Sequence, residues 1–153
     1  MATKIYAAYG VTMNPEMMQS WCPKTKQLGV SSIKNYRLMF KGEPPLSLAT
    51  IEEYSDYVVP IVIWELDLAD EPLLDKWVGY PEHYEKREME IEMPDGKMAM
   101  AMIYVKSEYE RLNYAETHYV ADIYESYERY GFDLAILKGA EKFSERYRHF
   151  RCR

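Results

Sequence analysis

The run Lys4-Ile5-Tyr6-Ala7-Ala8-Tyr9-Gly10-Val11-Thr12-Met13-Asn14-Pro15-Glu16 joins two unlike patterns within thirteen residues. Lys4 to Gly10 is a short apolar run ending in glycine and reads as a buried first strand. Asn14-Pro15-Glu16 then reads as a helix start. Asn14 is the N-cap, Pro15 takes the first helical position, and Glu16 favours the positive end of the helix. The loop between them, Tyr9, Gly10, Val11, Thr12 and Met13, is the best binding candidate in the chain. Glycine lets the backbone pass close to a ligand, and the new helix offers unpaired N–H groups to an anion.

Outward from this run, Cys22-Pro23 stops the first helix, and Leu28 to Lys41 reads as one or two strands rich in β-favouring residues. Glu43-Pro44-Pro45 marks a loop. Leu48 to Tyr54 is a further strand. Val58 to Leu66, the most apolar stretch, is a central strand with Pro60 at its entrance or a bulge. Asp70 to Val78 predicts a helix capped by Asp70, with Pro72 in its first turn and an apolar stripe through Leu73, Leu74, Trp77 and Val78. Gly79-Tyr80-Pro81 breaks it. Tyr84 to Met93 alternates, Pro94-Asp95-Gly96-Lys97 is a hairpin turn, and Met98 to Val105 is the returning strand. From Thr117 the period becomes helical, ending at Gly131, and Leu134 to Tyr147 forms another helix. Residues 148–153 read as a frayed tail. Strands first and helices after them predict an α+β fold in one domain over residues 1–153.

Composition limits the function. The 153 residues carry a net charge of −6 at a pI near 5.2, against nucleic-acid polymers, which need a basic footprint. No apolar run approaches the roughly 20 residues that span a bilayer, and the start has no signal-peptide pattern. The two cysteines, Cys22 and Cys152, match no metal spacing and read as reduced thiols of a cytoplasmic protein. His83, His118 and His149 share no spacing that points to a metal or a catalytic pair. The reading calls for no cofactor and no metal.

Four stretches, in this order, resemble the γ-glutamylcyclotransferase-like (AIG2-like) family. Tyr9 to Asn14 looks like the family's YGSN-[LM]-N loop. Leu74-Asp75-Lys76-Trp77-Val78-Gly79-Tyr80-Pro81 is similar to its LD-x-[YF]-EGYP. Tyr84 with Lys86 matches Y-x-[RK]. Tyr119, Ile123, Tyr127 and Gly131-Phe132-Asp133 look like the Y-x3-I-x3-Y-x3-GFD of a bacterial branch. Together they span residues 4 to about 137. The resemblance implies a six-stranded, closed, mixed β-barrel with helices outside, and places Tyr84 and Tyr119 near the ligand pocket beside Val78 and Gly79.

The departures bear on chemistry. The resemblance implies that a glutamate before the glycine takes a proton from the substrate's α-ammonium, so that the amine attacks the γ-carbonyl and releases 5-oxoproline. Val78 stands there. Val11 and Thr12 replace the loop's serine and asparagine. Losing a general base costs about 10²–10⁴ in rate. No catalytic residue is assigned; Asp75 and Glu82 are the nearest substitutes, with Glu85 and Glu88 further off. The expectation is a binding protein, monomeric or a small homo-oligomer. It would hold an anionic or nucleotide-like metabolite in the former active-site cavity. The alternative is an active γ-glutamylamine or γ-glutamyl-peptide cyclotransferase that uses a displaced carboxylate.

Overall fold

The apolar run at the start forms strand β1 (Thr3–Ala8), and a 3₁₀ turn (Val11–Met13) leads from it into helix α1 (Pro15–Trp21). The computed structural model describes residues 2–150. The Asn14 carboxamide oxygen accepts from the Met17 N–H at 3.0 Å, satisfying one of the donors that a helix start leaves open. There follow β2 (Lys26–Lys41), β3 (Leu48–Asp67), α2 (Glu71–Val78), β4 (Glu85–Glu92), β5 (Met98–Val105), α3 (Thr117–Tyr130) and α4 (Leu134–Arg146).

Among the described residues the fold is α+β, with a five-stranded mixed sheet of order β2-β3-β1-β5-β4 and four helices. β1 runs antiparallel to β3, with Thr3 opposite Asp67 and Ala8 opposite Val62, and parallel to β5, with Tyr6 opposite Met102. β4 and β5 form the expected hairpin, in a register that sets Lys86 opposite Tyr104 and Ile91 opposite Ala99.

The sheet is open, with β2 and β4 at its two ends, so the expected six-stranded closed barrel is corrected to five strands. The physical reason lies in β3. Leu48–Tyr54 and Val58–Leu66, which read as two strands, are one strand of 20 residues. Its middle is exposed at Ser55, Asp56, Tyr57 and Val58, which breaks the apolar pattern without breaking the strand. Asp56 bends there with φ 71°, and its N–H donates to the Asn35 side-chain oxygen at 3.1 Å. Pro60 lies inside this strand and not at its entrance.

The chain folds into two compact units: residues 1–33 with 60–105, and residues 34–59 with 106–153. In the first, Ile61, Ile63 and Leu66 of β3, Ile103 of β5, and Met13 and Leu74 are fully buried. Asp70 stands at the N-terminus of α2 but makes no side-chain cap; its carboxylate accepts from the Lys24 N–H at 3.2 Å instead. In the second unit, Leu38, Phe40, Ile123, Tyr127 and Leu137 form the core, and the Ser144 hydroxyl accepts from the Phe40 N–H at 2.9 Å. Leu112 exchanges backbone hydrogen bonds with His149 and Phe150, at 2.6 and 2.8 Å, so the chain is tied down as far as residue 150. Cys152 and the rest of 151–153, expected to fray, lie outside the described residues. Among the described residues no helix is long and apolar enough to cross a membrane.

Candidate functional site

In the first unit β1 delivers Tyr6, the residue after its end is Tyr9, and the 3₁₀ turn delivers Thr12. All three are buried. The Tyr6 and Thr12 hydroxyls share a hydrogen bond at 2.7 Å, and the Thr12 carbonyl accepts from the Trp64 indole N–H at 3.0 Å. Tyr9 donates to the Tyr104 carbonyl at 2.5 Å. Gly10 is buried with φ −121°, and Met13 is wholly enclosed. Of the loop that reads as a ligand cradle, Val11 is thus the half-buried residue and the others are buried.

A second cluster lies on α2 and the hairpin. The β4–β5 register places Lys86 and Tyr104 side by side, and both reach Asp75. Tyr104 donates to Asp75 Oδ1 at 2.5 Å, and Lys86 donates to Asp75 Oδ2 at 2.9 Å and to Glu71 at 2.7 Å. Lys4 completes the chain of charges at 2.9 Å from the other Glu71 oxygen. The Lys86 ammonium also sits 4.4 Å from the centre of the Tyr80 ring, in cation–π range.

The electrostatics follow from these contacts. Burial alone would drag Lys86 down, but hydrogen bonds and charge from Glu71 and Asp75 outweigh it and hold the ammonium above the ordinary lysine range. Burial would raise Glu71, yet Lys86 and Lys4 win and keep its carboxyl below the usual carboxylate range. Burial first, and then the hydrogen bond to Asp75, push ionisation of Tyr104 far above the tyrosine range. Tyr104 is therefore a fixed donor, and Asp75 is held by a tyrosine and a lysine together.

Beside this cluster an open cleft of about 590 Å³ is lined by Pro72, Asp75, Lys76, Tyr80, Glu82 and His83, with Gly79 and Pro81. Gly79 ends α2 with φ 93°, a left-handed conformation that ordinary side chains avoid; a Cβ there would stand 3.0 Å from His83. Glu82 is exposed.

The structure thus brings Asp75, Gly79 and Glu82 onto one cleft. Tyr9 and Thr12 are joined to Asp75 through Tyr104 and its ring partner Tyr6, whose centroids lie 5.6 Å apart. Val78 is half-buried at the end of α2, next to the cleft residue Gly79, and Tyr84 is buried just before β4. Tyr119 belongs to the second unit, where its hydroxyl accepts from the Ala49 N–H at 2.9 Å. Sequence reasoning missed Tyr104, Tyr6, Glu71 and Lys4. The available signal was the hairpin register, which sets Lys86 opposite Tyr104. Cys22 is buried, is not in a disulfide, and donates to the Asp70 carbonyl at 3.8 Å; burial first and the Asp70 charge second raise its thiol to about 11. Such a thiol is inert at neutral pH.

The family model described as gamma-glutamyl cyclotransferase, AIG2-like, matches residues 6–129. Among solved structures, one described as a gamma-glutamyl cyclotransferase is 19% identical, with a TM-score of 0.75, over 91% of this chain and 86% of its own. An uncharacterized protein from Homo sapiens is likewise 19% identical, with a TM-score of 0.75 over 92% of this chain and 87% of its own. YkqA from Bacillus subtilis is 17% identical with a TM-score of 0.77; 94% of this chain covers 55% of that one. No curated protein sequence matches. At these identities the structures share the fold.

Proposed function

The chain belongs to the gamma-glutamyl cyclotransferase, AIG2-like family, and from that premise we propose that it is a small-molecule-binding protein that has lost the cyclisation chemistry. The observation that carries this reading is the state of Asp75. Val78 stands where the resemblance puts the proton-accepting glutamate, and Asp75, one turn earlier on the same helix, is the carboxylate nearest in sequence. Both of its oxygens are engaged, one by Tyr104 and one by Lys86. A general base must reach the substrate's proton, and here the Asp75 oxygens are turned to donors of the protein itself. The cleft offers the Tyr80 ring and the Lys76 ammonium to a flat anionic metabolite, nucleotide-like in character, held off the Asp75 and Glu82 carboxylates that line the same cleft. On this reading the partner is a small molecule in the cytoplasm, not a nucleic-acid polymer or a membrane, and the protein is monomeric or a small homo-oligomer.

The test is incubation of the purified protein with γ-glutamyl amines and γ-glutamyl peptides, with 5-oxoproline as the readout. No release above the uncatalysed rate is expected. One observation favours the second reading, an active cyclotransferase with a displaced base: Glu82 is exposed on the cleft wall with no hydrogen bond or ion pair among the described residues. Turnover that Glu82→Gln abolishes would establish that reading and end the first.

A further inference from the structure

The second unit holds a cation whose hydrogen-bonding edge is uncommitted. The Arg37 guanidinium carbon lies 3.8 Å from the centre of the Phe143 ring, 4.3 Å from that of Tyr57 and 5.0 Å from that of Tyr54. The rings brace one another, Tyr54 meeting Tyr57 edge-on at 4.9 Å and Phe143 edge-on at 6.0 Å. Contact with ring centres holds the guanidinium in place but uses none of its five N–H donors in a hydrogen bond. Among the described residues Arg37 makes no hydrogen bond and no ion pair.

Arg37 lines a cavity of about 220 Å³. Leu38 lines it too, and α4 contributes the small residues Ala135, Gly139 and Ala140, with Ile136 among them. Asp56, exposed, also lines it; its N–H is tied to Asn35 but its carboxylate has no ion-pair partner among the described residues. Asn35 and Asp56 both adopt left-handed backbone, φ 63° and 71°. These two residue types tolerate that conformation best, and together they fix where Asp56 stands. Arg37 and Asp56 border the same cavity without pairing with each other. Each charge is left for something else, and the space between is apolar and smaller than a drug-sized pocket.

We propose that this cavity is a second ligand site, for a small zwitterion with an aliphatic body: a carboxylate on the Arg37 fork, an ammonium at Asp56, and the apolar part against Ile136 and the Gly139 surface. A bare anion would meet the Asp56 charge, and a bare cation would meet Arg37. Only a molecule bearing both signs satisfies both groups.

The probe is L-leucine, titrated into uniformly ¹⁵N-labelled protein and read at the backbone amides of Val58 and Gly139. Two half-probes accompany it: 4-methylpentanoate, which lacks the ammonium, and 3-methylbutylamine, which lacks the carboxylate. Saturable shifts at both amides are expected with L-leucine in the millimolar range, and binding at least about tenfold weaker for each half-probe, one charge-assisted contact being lost. Asp56→Asn, an exposed change that leaves the ring stack untouched, should weaken L-leucine by about tenfold and leave 4-methylpentanoate no weaker. Arg37→Lys keeps the charge without the fork and should weaken both acids. Absence of saturable shifts with L-leucine overturns the proposal. So does 4-methylpentanoate binding as tightly as L-leucine, or an L-leucine response unchanged by Asp56→Asn.

Discussion

Lys86 in the first unit and Lys106 in the second are both drawn out of water, with side chains 21% and 1% exposed, yet they titrate in opposite directions. Lys86 lies between two carboxylates, Glu71 and Asp75, and is held above the ordinary lysine range although burial opposes it. Lys106 is deeper, and its Glu110 partner, at 3.3 Å, is a third exposed; burial wins and its pKa falls. The difference teaches that how enclosed the counter-charges are, and not the lysine's depth alone, decides whether a buried ammonium is content. Lys41, also in the second unit, marks the closed extreme. It has no exposure and pairs with Glu52, itself 12% exposed, while donating to the Glu108 carbonyl at 3.1 Å.

The largest effect that would sharpen this comparison is expected at Lys41. Lys41→Met leaves the Glu52 carboxylate enclosed without its cation, and should cost about 3–5 kcal/mol in urea unfolding. A loss below about 1 kcal/mol would mean that water reaches Glu52 and the pair behaves as a surface one. Next comes Lys86→Met, which takes from Glu71 and Asp75 the lysine they share. Both carboxylates keep some solvent, so about 1–3 kcal/mol is expected after allowing for screening. The double change Lys86→Met with Asp75→Asn should recover part of that loss, because it removes the orphaned charge along with its partner.

The smallest effect is the most diagnostic, because its sign differs between the two units. Lys86 has a raised folded pKa, so its stabilisation is fully present below the unfolded value of 10.5 and is lost as pH rises through the folded value. Lys106 has a lowered folded pKa, so its penalty is felt at lower pH and is relieved as pH rises toward 10.5. Stability measured from pH 8 to 11 should therefore fall less steeply in Lys86→Met than in the unmodified chain, and more steeply in Lys106→Met. Equal slopes in the two variants would break the comparison. On the acid side, Glu71 has a lowered folded pKa. Its contribution is present above 4.5 and is lost as pH falls through the folded value, a loss that Glu71→Gln should remove.

Local chemistry made some of this legible in the sequence. Asn14-Pro15-Glu16 announced α1, and the structure has Asn14 capping it through Met17. Pro94-Asp95-Gly96-Lys97 announced the hairpin, and Gly96 supplies φ 88° there. The single long β3 was not legible. Its exposed middle looks like a loop when a strand bends across a surface, and the apolar period carries no record of a bend held by a side chain 21 residues away. The carboxylate's surroundings were hidden for a similar reason. Asp75 was singled out as a candidate, but its partners Lys86 and Tyr104 lie 11 and 29 residues on. They meet there only because β4 and β5 pair in one register.

That register is written at the far tip of the hairpin, where the Gly96 N–H donates to the Met93 carbonyl at 2.9 Å and the Met93 N–H to the Lys97 carbonyl at 2.7 Å. Strand residues alternate faces, so one amino acid inserted or deleted at the tip would slide β4 by a single notch. Glu85 or Arg87 would then stand opposite Tyr104, and Lys86 would turn to the other side of the ribbon. The tip works as a combination dial for chemistry it never touches. Evolution or an engineer could disarm or rewrite the Asp75 cluster from there without altering any residue in it.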